Sequence, residues 1–92
     1  MATIHMDVES CRSTATVMGT CKSTLDEQVA NLGNTVNGTV GSTWIAPSAT
    51  EFQSAFQEWT TAMKQISEQL AALKQRFEAE IAEFEQAASK LA

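Results

Sequence analysis

The side chains in this chain that could do chemistry are few, and their spacing suits none of the usual arrangements. His5 is the sole histidine and precedes both long apolar patterns, so it has no ligand set around it. No Cys-x-x-Cys, His-x-x-x-His or Glu-x-x-His spacing occurs, so no metal site is expected. Serine and threonine abound, but a hydroxyl nucleophile needs an adjacent base, and no histidine or buried lysine is placed to serve. Lys22 falls on an apolar stripe, where its stem is expected to pack while its amine snorkels outward. Gly33, Gly38 and Gly41 fit no phosphate-loop spacing. The expectation is a protein without catalysis, cofactor or metal, acting through surfaces.

Composition narrows those surfaces. A net charge of −5 and a pI near 4.6 argue against nucleic acid and anionic membranes. No run of eighteen apolar residues is present, so stable membrane insertion is not expected. A basic start followed by an apolar core is also missing, so a Sec signal peptide is not expected. Glu78, Glu80, Glu83 and Glu85 crowd one region and read as a solvated face. Cys11 and Cys21 on one helix would stand about 15 Å apart, beyond intrachain disulfide reach, so they read as buried thiols. Asn37-Gly38-Thr39 matches a glycosylation sequon, a pattern too frequent to carry weight.

The elements that carry these residues follow from two apolar stripes. In the second half, Phe52, Phe56, Trp59, Met63, Ile66, Leu70, Leu73, Phe77, Glu80, Phe84, Ala87 and Leu91 alternate between steps of three and four. Of these only Glu80 is polar. Such residues share one side of an α-helix, with Gln, Lys, Glu and Ser left for water. In the first half, Val8, Cys11, Ala15, Met18, Lys22, Leu25, Val29, Leu32, Val36 and Thr39 repeat the rhythm. Asp7 is the expected N-cap of that helix. Many threonines and three internal glycines, each costing about 1 kcal/mol against alanine, mean that packing must hold it. Asn37-Gly38 also suits a two-residue β-hairpin turn. Strands so short have no sheet to join, so helix is expected there.

Trp44-Ile45-Ala46-Pro47 separates the stripes. Ser48 with Glu51 has capping-box spacing for the second helix. The reading is one all-α domain spanning 1–92, with helix 1 over about 8–40, a turn over 41–48 and helix 2 over about 49–90. The second helix would be roughly 60 Å long. The two would fold back as an antiparallel helix-turn-helix hairpin.

One hairpin covers only part of this apolar surface. Ala55, Ala62, Ala72, Ile81 and Ala88 widen the arc of the second helix, and its aromatic rings need burial on more than one side. Short chains without disulfide or metal often complete their core by association. The expectation is a dimer of hairpins forming a four-helix bundle with crossing angles near ~20°. Its hairpin and dimer contacts would come from Val8, Cys11, Ala15, Met18, Leu25, Val29, Leu32 and Val36. Opposite them would lie Phe52, Phe56, Trp59, Met63, Ile66, Leu70, Leu73, Phe77 and Phe84.

Length, two helices, a mid-chain tryptophan turn and the Ile4-x-Met6-Asp7 lead-in together resemble the Trp-x-Gly family of helical hairpins exported by type VII secretion systems. The resemblance covers essentially the whole chain. Trp44 matches the family tryptophan, and Ala46 stands where the family has glycine. The family's C-terminal Tyr-x-x-x-Asp/Glu signal has no counterpart, because the chain has no tyrosine. Ile81-x-x-x-Glu85, followed by Ala88 and Ala92, is the nearest hydrophobic-acidic substitute.

The resemblance implies a substrate or secreted partner of a type VII system, paired in the bacterial cytoplasm as a homodimer or heterodimer with a related hairpin. It would then be secreted without a Sec signal. Trp44, Ile45 and Ala46, with the tail around Ile81, Glu85 and Ala88, would face a secretion ATPase of FtsK type. An intracellular adaptor shielding a larger helical partner is the alternative, and the missing tyrosine leans toward it. A membrane-active hairpin is disfavoured by the acidic surface.

Overall fold

The computed structural model describes residues 4–91, and for Leu91 the backbone alone. Ala92 lies outside the described residues, as does the Leu91 side chain at the end of the expected stripe. Two helices, α1 (Val8–Thr39) and α2 (Pro47–Leu91), pack side by side as a hairpin. The rod measures 69 × 20 × 19 Å, and the length of α2 alone sets its long axis.

Local chemistry fixes the ends. The Asp7 carboxylate accepts from the Ser10 backbone N–H at 3.1 Å, capping α1. That bond, more than any other influence, holds the Asp7 carboxyl below its ordinary value. Along α1, Thr14, Thr16, Thr20, Thr35 and Thr39 donate their hydroxyls to the carbonyl four residues back. The threonine-rich sequence therefore satisfies its side chains on its own backbone. The Asn37-Gly38 step lies inside the helix, not in a β-turn.

The start of α2 differs from the sequence reading. Pro47 is the first helical residue, and the Ala49 N–H donates to the Ala46 carbonyl at 3.0 Å. Proline suits that position because its fixed φ is helical and its missing N–H would have had no partner. Ser48 is thereby drawn into the first turn and does not serve as the cap.

The seam between the helices is built mostly from small residues. Ala15 on α1 and Ala49, Ser67 and Ile81 on α2 are buried. Beside them, Gly19 admits the stem of Lys74, whose Cε would stand 3.0 Å from a Cβ at that glycine. Phe56, Met63, Leu70, Phe77 and Phe84 are half-buried, as are Val8, Cys11, Met18, Leu25, Val29 and Val36. The line on α2 that holds its buried residues thus runs through 49, 53, 60, 67, 74 and 81, one position past the expected stripe from 53 onward. Small side chains let the backbones approach, and the bulky ones stand to the sides. Ser67, expected to face water, is 3 % exposed for this reason.

Candidate functional site

The connection between the helices is held by its own backbone. Trp44 donates its N–H to the Thr39 carbonyl at 3.0 Å and accepts from the Gly41 N–H at 2.9 Å. The Ser42 hydroxyl donates to the Gly38 carbonyl at 2.8 Å. Gly41 has φ +85°, the left-handed conformation in which a side chain would be strained. No non-glycine residue among those described adopts positive φ, so Ala46 sits without left-handed strain.

Aromatic rings run from this turn onto α2. Trp44 lies 5.6 Å from Phe52, Phe52 lies 6.5 Å from Phe56, and Phe56 lies 5.5 Å from Trp59, centroid to centroid. Trp44 is half-buried by this stack, while Ile45 beside it is 79 % exposed at the tip of the rod. Ala46 is half-buried below it.

The two flanks of the hairpin differ in chemistry. On one, Phe52, Trp59, Ile66 and Leu73 recur every seven residues and are 40–58 % exposed. Met18 lies on the same flank, lining a shallow hollow with Thr14, Leu73, Arg76, Phe77 and Glu80. Leu25 and Leu32 continue its line at seven-residue steps, and Leu32 is exposed. Such a line of large apolar side chains marks an interaction surface.

The opposite flank carries a groove where polar and charged side chains stand among apolar ones such as Val29, Ala30 and Met63. There Lys22 and Asp26 of α1 meet Ser67 of α2 at the end of the groove, which continues past Gly33, Asn34 and Thr60. Lys22 Nζ donates to Asp26 Oδ2 at 2.7 Å, and Ser67 Oγ donates to Asp26 Oδ1. The Lys22 bond first, and the Ser67 bond second, hold the Asp26 carboxyl below its ordinary value.

The tail is tied down. Ile81 is 2 % exposed, and Glu85 forms an ion pair with Arg12 near the start of α1. Ala88 is exposed. The structure therefore keeps Trp44-Ile45 and the Ile81–Ala88 segment at opposite ends of one rod. Cys11 is half-buried and Cys21 exposed, and neither is in a disulfide. The thiol at Cys21 thus departs from the buried reading. Among the described residues no group of three or more His, Cys, Asp or Glu side chains is placed to hold a metal ion.

A small helical hairpin with a tryptophan at its turn is also what comparison with known families returns. The family model described as "Proteins of 100 residues with WXG" matches residues 3–89. The chain belongs to the WXG100 family. Members of this family are small, non-enzymatic hairpins exported by type VII secretion systems, and they typically pair with related hairpins. No curated protein and no solved structure gives a significant match. The matched range includes the turn at Trp44, Ile45 and Ala46. Among the described residues no helix is long and apolar enough to cross a membrane.

Proposed function

We propose that this chain is a non-enzymatic substrate or secreted partner of a type VII system, working by pairing with another hairpin. The observation that carries the reading is the exposed line Phe52, Trp59, Ile66 and Leu73 beside Met18, Leu25 and Leu32, in a member of the WXG100 family. Covering that line would complete a four-helix bundle, with the half-buried residues of both helices as its inner layer. The pair would assemble in the cytoplasm. The turn at Trp44, Ile45 and Ala46 would then present one recognition surface to an FtsK-type ATPase, and the tail at Ile81, Glu85 and Ala88 a second. Ile81 is turned into the hairpin, so on this reading it positions the tail, and Glu85 and Ala88 carry the readable atoms.

Export is tested by comparing culture supernatants of intact cells with and without the secretion ATPase. Accumulation outside that needs the ATPase supports the reading. Retention despite an active system supports instead an intracellular adaptor, the second reading, which the lack of any tyrosine favours.

A further inference from the structure

We propose that Asn37-Gly38 is a self-modifying site, silent while the end of α1 is closed, at which deamidation on opening permanently releases the turn that holds Trp44.

The asparagines of the chain are Asn31, Asn34 and Asn37, all on α1, followed by leucine, threonine and glycine. An asparagine loses its amide when the backbone nitrogen of the next residue attacks its side-chain carbonyl carbon. The side chains of Leu32 and Thr35 crowd that nitrogen, whereas Gly38 has no Cβ and leaves it open. The attack also needs a backbone at Asn37 that brings the two groups together, and the helix does not supply it. Within α1 the Gly38 N–H points along the axis to the carbonyl four residues back. Asn37 Oδ1 is engaged as well, accepting from Gln53 Nε2 at 3.3 Å. The fold thus holds a reactive pair apart.

That closure is weak at this place. Ala15, the buried residue of α1, lies far toward the other end of the helix. Asn34, Thr35, Asn37, Gly38 and Thr39 are exposed. A Cβ at Gly33 or Gly38 would meet nothing within 4 Å, so neither glycine is there for close packing. Between the Ser67–Asp26 bond and the turn, Gln53–Asn37 is the one side-chain hydrogen bond between the helices among the described residues. A helix end so little packed opens more often than the whole hairpin unfolds.

In the open state the Gly38 nitrogen gives up its proton to solvent and forms a bond to Asn37 Cγ. The Cγ–Nδ2 bond breaks, and ammonia leaves. Water then opens the cyclic imide at either carbonyl, giving aspartate or isoaspartate. No electrons change hands, and water is the only co-reactant. Both products place a carboxylate in the last turn of α1, which has no basic residue and where negative charge is unfavourable. Isoaspartate also inserts a methylene into the backbone, so the helical hydrogen bonds lose their register there. The turn is built on the residues that follow. The Gly38 carbonyl accepts the Ser42 hydroxyl, and the Thr39 carbonyl accepts the Trp44 and Ser42 N–H groups and the Thr43 hydroxyl. Displacing these carbonyls frees Trp44, and the change does not reverse.

The test follows the full chain by peptide mapping and mass spectrometry, in native buffer and unfolded in guanidinium chloride. Asn37 should convert at least about tenfold more slowly in the native chain, with Asn31 and Asn34 lagging behind it in both. At low denaturant the native rate should stay nearly flat, as for a local opening, and Gly38→Ala should slow it. In the purified isoaspartate product, amide exchange should accelerate at Gly41 and Trp44 and stay as it was around Ala15. Equal rates in native and unfolded chains would remove the gate. A rate that rises with denaturant as steeply as global unfolding would overturn the local opening. An unchanged rate in Gly38→Ala would overturn the role of that nitrogen. An isoaspartate chain whose turn amides stay protected would overturn the release of Trp44.

Discussion

Ser67 of α2 donates its hydroxyl to the same Asp26 carboxylate that Lys22, one turn earlier on α1, holds at 2.7 Å. This is a polar clasp across the seam at one fixed level, and it makes helix pairing sensitive to acid. Its carboxyl titrates below the ordinary 3.8 in the folded hairpin, so its contribution is complete above that value. As the pH falls through the lower folded-state value, the contribution is lost. The Asp7 cap has the same sign. Thermal melts of the parent and Asp26→Asn should therefore differ at neutral pH and converge as the pH falls below the lowered folded-state value. A difference that persists in acid would show that the clasp acts by shape and not by charge. Ser67→Ala should cost about 1 kcal/mol at neutral pH, through loss of one hydrogen bond.

Ile81 is the largest fully buried side chain among those described, and it packs near Ala15 close to the Arg12–Glu85 pair. Truncation to alanine leaves a gap that two rigid helices cannot close. Ile81→Ala should destabilise by about 2–4 kcal/mol. Arg12→Ala should cost less than about 1 kcal/mol, because both ends of that pair are well exposed to water. Denaturant titration ranks the two, and the reverse order would place the anchoring of the tail in the ion pair.

The hairpin was legible because three- and four-residue steps persist through both halves, and because aspartate before Val8 is a common cap. The seam was less legible. Hydrophobicity marks every surface to be covered, whether inside the hairpin or against a partner, so the stripe of α2 mixed both. Size separates them. Ala15, Gly19, Ala49 and Ser67 let the helices touch, while Phe52, Trp59, Ile66 and Leu73 stay on the flank. A serine flanked by Ile66 and Glu68 gives no sign of burial until Asp26 is known to lie across from it. The turn was found from Trp44, but the left-handed residue at Gly41 was not, since the family pattern directs attention to position 46. Glu85 with Arg12 joins residues 73 apart, a contact that needs the pairing level of the helices.

Glycines along α1 separate two effects. A Cβ at Gly33 or Gly38 would meet nothing within 4 Å, and both have helical backbones. Gly33→Ala and Gly38→Ala should each stabilise by about 0.5–1 kcal/mol, through lower unfolded-state entropy and better helix propensity. Gly41 has equal space but φ +85°, so Gly41→Ala should destabilise by about 1–2 kcal/mol. Circular dichroism melts of the three variants check the signs. If Gly41→Ala were neutral, the connection would have another accessible conformation.

Ile45 offers the cleanest separation of recognition from folding. It is 79 % exposed, and the hydrogen bonds that shape the turn belong to the backbones of Gly38, Thr39, Gly41, Ser42 and Trp44 and to the Ser42 and Thr43 hydroxyls. Ile45→Ser should therefore change stability by no more than about 0.5 kcal/mol. Trp44→Ala removes a half-buried ring from the stack on Phe52, and should cost about 1–3 kcal/mol while the backbone turn persists. If the turn is read by a secretion ATPase, both variants should lose binding to it and accumulate in the cell. Ile45→Ser should do so at an unchanged melting temperature. Normal export of Ile45→Ser with impaired export of Trp44→Ala would confine Trp44 to holding the end of the bundle.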